Sequence, residues 1–335
     1  MVKLGLLDYA LIDENSDAIQ AFHQTIELAQ FAESLGYHRF WIAEHHNVPA
    51  FASSAPELMM MRVLDATKRI RLGSGGVMLP HYSPYKVAEN FRILEAFHPG
   101  RVDLGIGNTI GTKVVNAALN EHKERKLNYE ASIVDLTTYF QDQAGDTHRF
   151  PNIVANPVIP TVPEMWTLST SAPRAKMAAQ LGIGFTYGHF LVGDNRIEQA
   201  IEAVETYRQH FKPSRFMKEP TVSLAIIVVV TETEEQTEDF QTVLDAWLLG
   251  KENFSYYTQF PSVETASRYV YSEQEKKIVE ANRQRVIIGN ADDVKARVDA
   301  LVGKLTADEL LFVPLIPSFE QRKKTIALLA NLFLT

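Results

Sequence analysis

A carboxylate and two imidazoles stand side by side in Glu44-His45-His46, directly after the apolar run Phe40-Trp41-Ile42-Ala43. Such groups can move protons or bind a metal ion. Consecutive side chains of an extended segment point to opposite faces, so these three groups cannot all face one ion. The spacings His-x-His and His-Glu-x-x-His are absent from the sequence, which makes a metal site the weaker interpretation. Proton transfer and a structural histidine that caps a helix both remain open.

Glycines end two further apolar runs, in Gly73-Ser74-Gly75-Gly76 and in Gly105-Ile106-Gly107-Asn108. Glycine weakens a strand, so glycines at a strand end indicate either a bulge or a backbone that approaches a ligand closely. The second run is not a dinucleotide-binding loop, because Ile110 stands where the third glycine would be. A tight turn and close contact with a flat ligand explain its glycines equally well.

Hydroxyl side chains precede a proline in Ser169-Thr170-Ser171-Ala172-Pro173. Proline in the first turn of a helix removes no needed donor, and the free amides and helix dipole there favour a phosphate. This turn is the best candidate anion site in the sequence. A plain serine N-cap would have the same pattern.

These candidates would meet in one place if the chain folds as an α/β barrel. Short β-rich runs alternate with amphipathic helical segments, which is typical of a parallel α/β fold. Eight strands are predicted, at about residues 4–7, 39–43, 70–77, 101–106, 165–168, 185–187, 221–230 and 309–313. In a (β/α)8 barrel, the carboxyl ends of the strands form the active-site mouth. The pattern favours this barrel over a doubly wound open sheet, which shares it.

The prediction is one (β/α)8 TIM-barrel domain over residues 1–335, with insertions after strands 4 and 7. The first insertion contains a long helical region at about Thr112–Phe140, followed by a loop rich in proline and asparagine. The second contains Lys251–Lys277, in which six aromatic residues are interrupted by polar ones and by Pro261. Connections of this length are often functional, so this segment is predicted to be a lid. Permanent packing of its aromatic side chains on the barrel or at a subunit interface is the alternative.

Composition excludes several classes of function. The net charge of −8 argues against nucleic acid as a partner. The absence of cysteine excludes disulfides, thiolate metal sites and a cysteine nucleophile. The apolar run Leu224–Val230 is about a third of the length that crosses a bilayer, and the apolar N-terminal run is too short for a signal peptide. We therefore expect a cytoplasmic protein that does not associate with membranes.

Taken together, these segments resemble the bacterial luciferase-like flavin-dependent monooxygenases. The resemblance rests on an ordered match across residues 38–107, which includes Phe40–Asn47, Arg71–Pro80 and Ala96–Gly105. It implies a barrel that holds reduced FMN at the carboxyl ends of its strands. It further implies that His45 is the catalytic histidine beside the flavin, and that Gly75-Gly76 is a non-prolyl cis peptide under the flavin ring.

The resemblance also implies a flavin-phosphate site at Thr170 and Ser171, with Gly107 and Asn108 beside the cofactor. The family commonly has an arginine where this chain has Asn108. Asparagine brings no charge, so a charge-assisted contact of about 1.5–3 kcal/mol would be lost. Weak binding of FMN would suit a protein that receives reduced flavin from a separate enzyme.

The preferred prediction is a two-component monooxygenase. An NAD(P)H:flavin reductase would supply reduced FMN, which reacts with O2 so that a small organic substrate is oxygenated. A deazaflavin-dependent hydride-transfer oxidoreductase and a non-catalytic flavin-binding protein are the alternatives. The fold does not identify the substrate. The resemblance also implies a homodimer, whose interface would include the small and apolar residues of the second helix, Ala55, Leu58, Met59, Met61 and Leu64.

Overall fold

Eight parallel strands close into a barrel in the computed structural model, which describes residues 2–121, 123, 128–141, 145, 148–191, 196–250, 254 and 256–334. The strands are β1 (Lys3–Asp8), β2 (Arg39–Ile42), β3 (Arg71–Ser74) with its two-residue continuation β4 (Val77–Met78), β5 (Val102–Gly107), β6 (Glu164–Ser169), β7 (Gly184–Gly188), β8 (Val222–Val230), the additional strand β9 (Val286–Gly289) and β10 (Glu309–Val313). β10 pairs with both β1 and β8, which closes the barrel. The predicted (β/α)8 fold is confirmed.

Helices surround the barrel and connect its strands. They are α1 (Ala18–Leu35), α2 (Pro56–Ala66), α3 (Pro84–Phe97), α4 (Lys113–Leu119), α5 (Tyr129–Tyr139), α6 (Ala172–Leu181), α7 (Arg196–His210), α8 (Glu234–Leu248), α9 (Val263–Ser267), α10 (Glu273–Arg283), α11 (Ala291–Leu305) and α12 (Phe319–Phe333). No helix within the described ranges has the length and apolar character needed to cross a membrane.

β8 is almost entirely apolar. All of its nine residues are buried. One face of the strand fills the barrel interior, and the other lies under helices α11 and α12. Burial on both faces produces a continuous aliphatic run instead of an alternating one.

The third predicted strand, residues 70–77, is not continuous. It is interrupted after Ser74 by the Gly75–Gly76 peptide bond, which is cis as the family resemblance implied. A Cβ atom at Gly76 would lie 2.7 Å from the carbonyl oxygen of Gly105. The two backbones are therefore too close for a side chain here, which is a position that only glycine fills.

The predicted elements also differ from the structure elsewhere. The helical region Thr112–Phe140 contains two helices instead of one, because the Asn128 side chain accepts a hydrogen bond from the amide of Ala131 (2.8 Å) and so begins α5. β9, α9, α10 and α11 were not predicted, and α9 and the start of α10 lie within the predicted lid Lys251–Lys277. β9 has only four residues, which is too short for a periodic signal, but Asn290 followed by Asp292 and Asp293 is a readable helix start.

Part of the predicted lid packs on the barrel. Phe260 is fully buried, its amide donates to the carbonyl of Ile12 (2.6 Å), and its carbonyl accepts from the amide of Glu14 (3.3 Å). The ring of Trp247 lies 4.9 Å from that of Phe260 and 5.1 Å from that of Phe254. Residues 251–253 and 255 of the predicted segment lie outside the described residues. A lid function stays a prediction, and the segment is anchored at Phe260 to the loop after β1.

A buried ion cluster lies at the amino-terminal ends of the strands. The Arg39 guanidinium contacts the carboxylate of Asp103 and donates to Glu309 Oε1 (3.0 Å), and it lies 4.6 Å from the ring centroid of Trp166. Arg71 also pairs with Asp103 (2.6 Å). Burial alone would raise the pKa of Asp103, but Arg39 and Arg71 hold it below its usual value. This end of the barrel is therefore held by charge pairs that span several strands.

Candidate functional site

Every site residue predicted from the sequence lines one cavity of about 730 Å³ at the carboxyl ends of the strands. Parallel strands of a barrel end at the same rim, which brings distant parts of the sequence together. The residues are His45 after β2, Gly75 and Gly76 after β3, Gly107 and Asn108 at the end of β5, and Thr170 and Ser171 after β6. Their location is thus settled, and their functional roles stay predictions.

His45 lies in an aromatic part of this cavity. Its ring centroid is 5.2 Å from that of Tyr9 and 5.1 Å from that of Phe51. Its amide donates to the carbonyl of Ser53 (3.0 Å), which fixes the backbone after β2. Burial lowers the pKa of His45 to about 4. The imidazole is therefore neutral at neutral pH, with one nitrogen that can accept a proton and one that can donate.

His46 and Glu44 belong to a different network. Glu44 Oε1 lies 2.8 Å from His46 Nε2 and accepts from the hydroxyl of Tyr82 (2.6 Å), while Oε2 accepts from the amide of Met78 (2.9 Å). Glu44 thus ties the end of β2 to β4, just beyond the Gly75–Gly76 peptide. Within the described residues, no three His, Asp or Glu side chains are grouped to hold a metal ion.

Bare backbone forms one wall of the cavity. A Cβ atom at Gly75 would collide with the side chain of Leu7, and one at Gly76 with the backbone of β5. At Gly107 the situation differs, because a Cβ atom there would lie 3.7 Å from the nearest atom, Val77 O, which is an ordinary contact. Packing within the protein therefore requires glycine at position 76, where the obstacle is backbone, whereas at position 75 it is the movable end of the Leu7 side chain and at position 107 there is none. A flat ligand could lie against this wall without meeting side chains.

The turn after β6 has the features of an anion site. Ser171 occupies the N-cap position of α6, yet its side chain makes no capping hydrogen bond to the helix amides, all of which are described. The Ser171 amide instead donates to Ser169 Oγ (3.3 Å). The simple capping role that the sequence left open is thus not what this serine performs. α6 begins at the cavity end that Ser169, Thr170 and Ser171 line, and the first amides of a helix have no partner within the helix.

Arg174, which the sequence analysis missed, supplies a positive charge at this turn. It lies in the first turn of α6, lines the cavity, and stacks 4.7 Å from the ring centroid of Tyr129. With its amide oxygen turned toward the guanidinium, Asn108 accepts from Arg174 Nη2 (2.9 Å). Arg174 therefore supplies, next to Asn108, the positive charge that an arginine at position 108 would have carried. A cation in the first turn of a helix opposes the helix dipole. This unfavourable placement of Arg174 is the feature of the sequence that could have identified it as a site residue.

Aromatic side chains enclose the remainder of the cavity. The ring of Phe51 packs 4.9 Å from Tyr9 and 5.3 Å from Trp247, and Phe190 and Phe254 also line this region. We call this part, defined by Tyr9, Phe51, Phe190, Trp247 and Phe254, the aromatic chamber. Such a lining can accept an apolar group and keep water away from it.

Comparisons with a family model and with individual proteins place the chain in one family. Residues 2–309 match the family model described as luciferase-like monooxygenase. The chain is 42% identical to the uncharacterized protein YwcH of Bacillus subtilis, with 99% of each chain covered. It is 32% identical to the N-acetyl-S-alkylcysteine monooxygenase of the same organism, with 96% of each covered.

Solved structures show the same fold. The crystal structure of apo-MsnO8 has a TM-score of 0.85 and 30% identity, with 100% of this chain and 99% of that chain covered. The oxygenating constituent of 3,6-diketocamphane monooxygenase of Pseudomonas putida, in complex with FMN, has a TM-score of 0.68 and 16% identity, with 98% and 97% covered. An F420-dependent secondary alcohol dehydrogenase also has a TM-score of 0.68, at 13% identity and with 97% of both chains covered. The last two demonstrate a shared fold alone, and this fold hosts both FMN and F420 enzymes.

Proposed function

This chain belongs to the luciferase-like monooxygenase family, and on that premise we propose that it is a flavin-dependent monooxygenase. It uses reduced FMN, supplied by an NAD(P)H:flavin reductase, and O2 to oxidise a small organic substrate. The observation that carries this proposal is one cavity that combines a bare-backbone wall, a neutral, half-buried histidine and a helix-start turn with an arginine.

The residues present fit FMN. Ser171, the first amides of α6 and Arg174 would hold the phosphate, with Asn108 orienting the guanidinium. The wall at Gly75 and Gly76 would hold the flat ring. Reduced FMN supplies the electrons with which O2 is activated.

The protein's own contribution is positioning, exclusion of water and control of one proton. His45 lines the same cavity as the bare-backbone wall and packs against Tyr9 and Phe51 of the aromatic chamber. Because its imidazole is neutral, it can accept a hydrogen bond at one nitrogen or take up a proton during the reaction. The aromatic chamber holds the substrate beside it and keeps that region dry.

The phosphate site can be tested by comparing FMN with riboflavin, which lacks the phosphate. We expect Arg174→Met to weaken FMN binding about tenfold or more, because a charge-assisted contact is removed, and to leave riboflavin binding nearly unchanged. Lys176→Met is the matched control, since this lysine is exposed on the same helix. Both affinities can be measured by titration calorimetry. Equal losses for the two ligands, or no loss for FMN, would contradict the assignment.

The reaction can be tested with chemically reduced FMN, O2 and a panel of thioethers. Similarity to a protein named N-acetyl-S-alkylcysteine monooxygenase makes thioethers the first class to examine. We expect a product that is heavier by one oxygen atom in the mass spectrum. Saturable binding of F420 but not FMN would instead support hydride transfer. Flavin oxidation without product for every substrate would support a non-catalytic flavin-binding protein.

A homodimer remains part of the proposal. On α2, Leu58 is 72% exposed, and Phe97 on the adjacent α3 is 69% exposed. The prediction that Leu64 lies at the interface is wrong, since its side chain is fully buried against the barrel. Exposed apolar side chains of this size on two neighbouring helices suit a subunit contact.

We expect wild type to have a dimer mass by light scattering at micromolar concentration, and Leu58→Asp to have a monomer mass, because an aspartate would be buried unpaired in the contact. Val270→Asp, at another exposed apolar position, should leave the dimer intact. A monomeric wild-type protein would rule out the dimer.

A further inference from the structure

A buried hydroxyl, that of Thr186 on β7, lies at the floor of the cavity. The preceding residue, Phe185, stacks on Tyr207 of α7 outside the barrel (5.6 Å between ring centroids). Because successive side chains of a strand point to opposite faces, Thr186 faces the barrel interior. It lines the cavity next to Leu168, its register partner on β6. One layer further down on β6, the fully buried Trp166 fills the barrel.

The Thr186 hydroxyl has no hydrogen-bond partner among the described residues. The residue is 1% exposed, so its burial is nearly complete. The neighbouring strands contribute Leu168, Ala225 and Ile227 to the same part of the cavity, and none of these side chains can form a hydrogen bond. A buried hydroxyl without a partner lowers the stability of a protein and is rare in native structures. A ligand that fills the cavity would supply the missing partner.

Ser223 provides a comparison on the adjacent strand. It is the register partner of Thr186 on β8, it is 1% exposed, and its hydroxyl also has no partner within the described part of the chain. Ser223 does not line the cavity, however. Only Thr186 of this pair combines an unpartnered hydroxyl with a position that a ligand can reach. Ser223 is therefore the matched control for any experiment on Thr186.

The position of Thr186 suits the ring of a flavin. The bare-backbone wall lies at Gly75 and Gly76 between β3 and β5, the helix-start turn follows β6, and Thr186 is on β7. These strands are consecutive neighbours in the barrel. One edge of a flavin ring carries two carbonyl groups and an N–H group, which lose their water when the ring is buried and then need partners in the protein. Of the strand residues that line the cavity, Thr186 and Ser169 have hydroxyl groups, and Ser169 belongs to the turn.

We propose that the Thr186 hydroxyl forms a hydrogen bond with the polar edge of the flavin ring and so positions the ring in the cavity. The hydroxyl can donate to a ring carbonyl or accept from a ring N–H. This inference rests on the proposed function for the presence of a flavin. It goes beyond that function by assigning a residue of the barrel interior to the ring, separate from the residues assigned to the phosphate.

Binding of FMN and riboflavin, compared in the same redox state by calorimetry, tests the proposal. The two flavins share the ring and differ in the phosphate. We expect Thr186→Val to weaken both by the same factor, about fivefold to tenfold, because valine keeps the shape of threonine but has no hydroxyl. Thr186→Ser, which keeps the hydroxyl, should retain most of the affinity for both. Arg174→Met should weaken FMN alone, so that the two positions separate ring binding from phosphate binding.

Ser223→Ala is the control for changes inside the barrel, and it should leave both affinities unchanged. In the absence of flavin, Thr186→Val should unfold in guanidinium chloride at a midpoint no lower than that of wild type, because it loses no internal hydrogen bond. A lower midpoint would assign the hydroxyl to the fold and overturn the proposal. Unchanged binding of both flavins by Thr186→Val, or a loss for FMN alone, would also overturn it. So would a loss in Thr186→Ser or Ser223→Ala as large as that in Thr186→Val.

The outcomes separate this inference from the proposed function, because no turnover is measured. Equal losses for the two flavins in Thr186→Val, together with flavin oxidation that yields no product in wild type, would uphold the ring contact and reject the monooxygenase. Unchanged flavin binding in Thr186→Val, together with oxygenated product from wild type, would reject the ring contact alone. Wild type that binds neither flavin would overturn both.

Discussion

His45→Gln is expected to lower productive turnover by about 10²- to 10⁴-fold, the usual loss when a positioned acid–base group is removed. The imidazole lies between Tyr9 and Phe51 in the cavity, and it is neutral because burial lowers its pKa to about 4. Glutamine fills a similar space and can form hydrogen bonds, but it cannot take up a proton at neutral pH. The melting temperature should change little, because no side-chain hydrogen bond of His45 to the described residues is lost.

The pH dependence provides a second measure of the same group. An ordinary histidine has a pKa near 6.5, so a histidine needed in its neutral form would usually lose activity below that pH. Here the neutral form persists down to about pH 4, and kcat/KM should stay level between pH 8 and about pH 5. His23→Gln, at an exposed position on α1, is the control and should be fully active. Full activity in His45→Gln would remove this residue from the mechanism.

Arg39→Met is expected to lower the free energy of unfolding by about 3–5 kcal/mol, as when one partner of a buried ion pair is removed. Arg39 is 2% exposed and contacts Asp103 and Glu309, which are buried as well. Without the guanidinium, both carboxylates lose a neutralising partner in a region that water does not reach. Guanidinium chloride titration would measure the loss.

Arg268→Met is the matched control for that experiment. Arg268 pairs with Glu264 on the surface, where both side chains are exposed. Arg268→Met should therefore lower the free energy of unfolding by less than about 1 kcal/mol. The difference in the free energy of unfolding between wild type and Arg39→Met should become smaller as the pH is lowered. The pKa of Asp103 is lowered in the folded state, so its stabilising contribution is present above the ordinary aspartate pKa and is lost as the pH falls through the lowered value. Equal losses in the two variants would show that the buried cluster is not stabilising.

The sequence by itself predicted the parallel α/β fold, favoured the barrel, and identified seven of the residues that line the cavity. Alternation of short apolar runs with amphipathic helices specifies the parallel fold, and that fold requires the ends of β2, β3, β5 and β6 to meet at one rim. His45, Gly75, Gly76 and Ser171 could be placed in one cavity for that reason, before any distance was known. Local signals of this kind act within one strand or one turn, so a single sequence is sufficient to find them.

The tertiary structure alone decided which residues from distant segments become neighbours. Arg174 lies beside Asn108 because β5 and β6 are neighbouring strands of the barrel. The spacing of the two residues in the sequence does not show that they are in contact. Arg285 lines the cavity because β9, a strand too short to be predicted, pairs with the second half of β8. Leu64 turns inward because α2 packs on β3. Periodicity defines the faces of an element, but the partner of each face depends on packing between segments far apart in the chain.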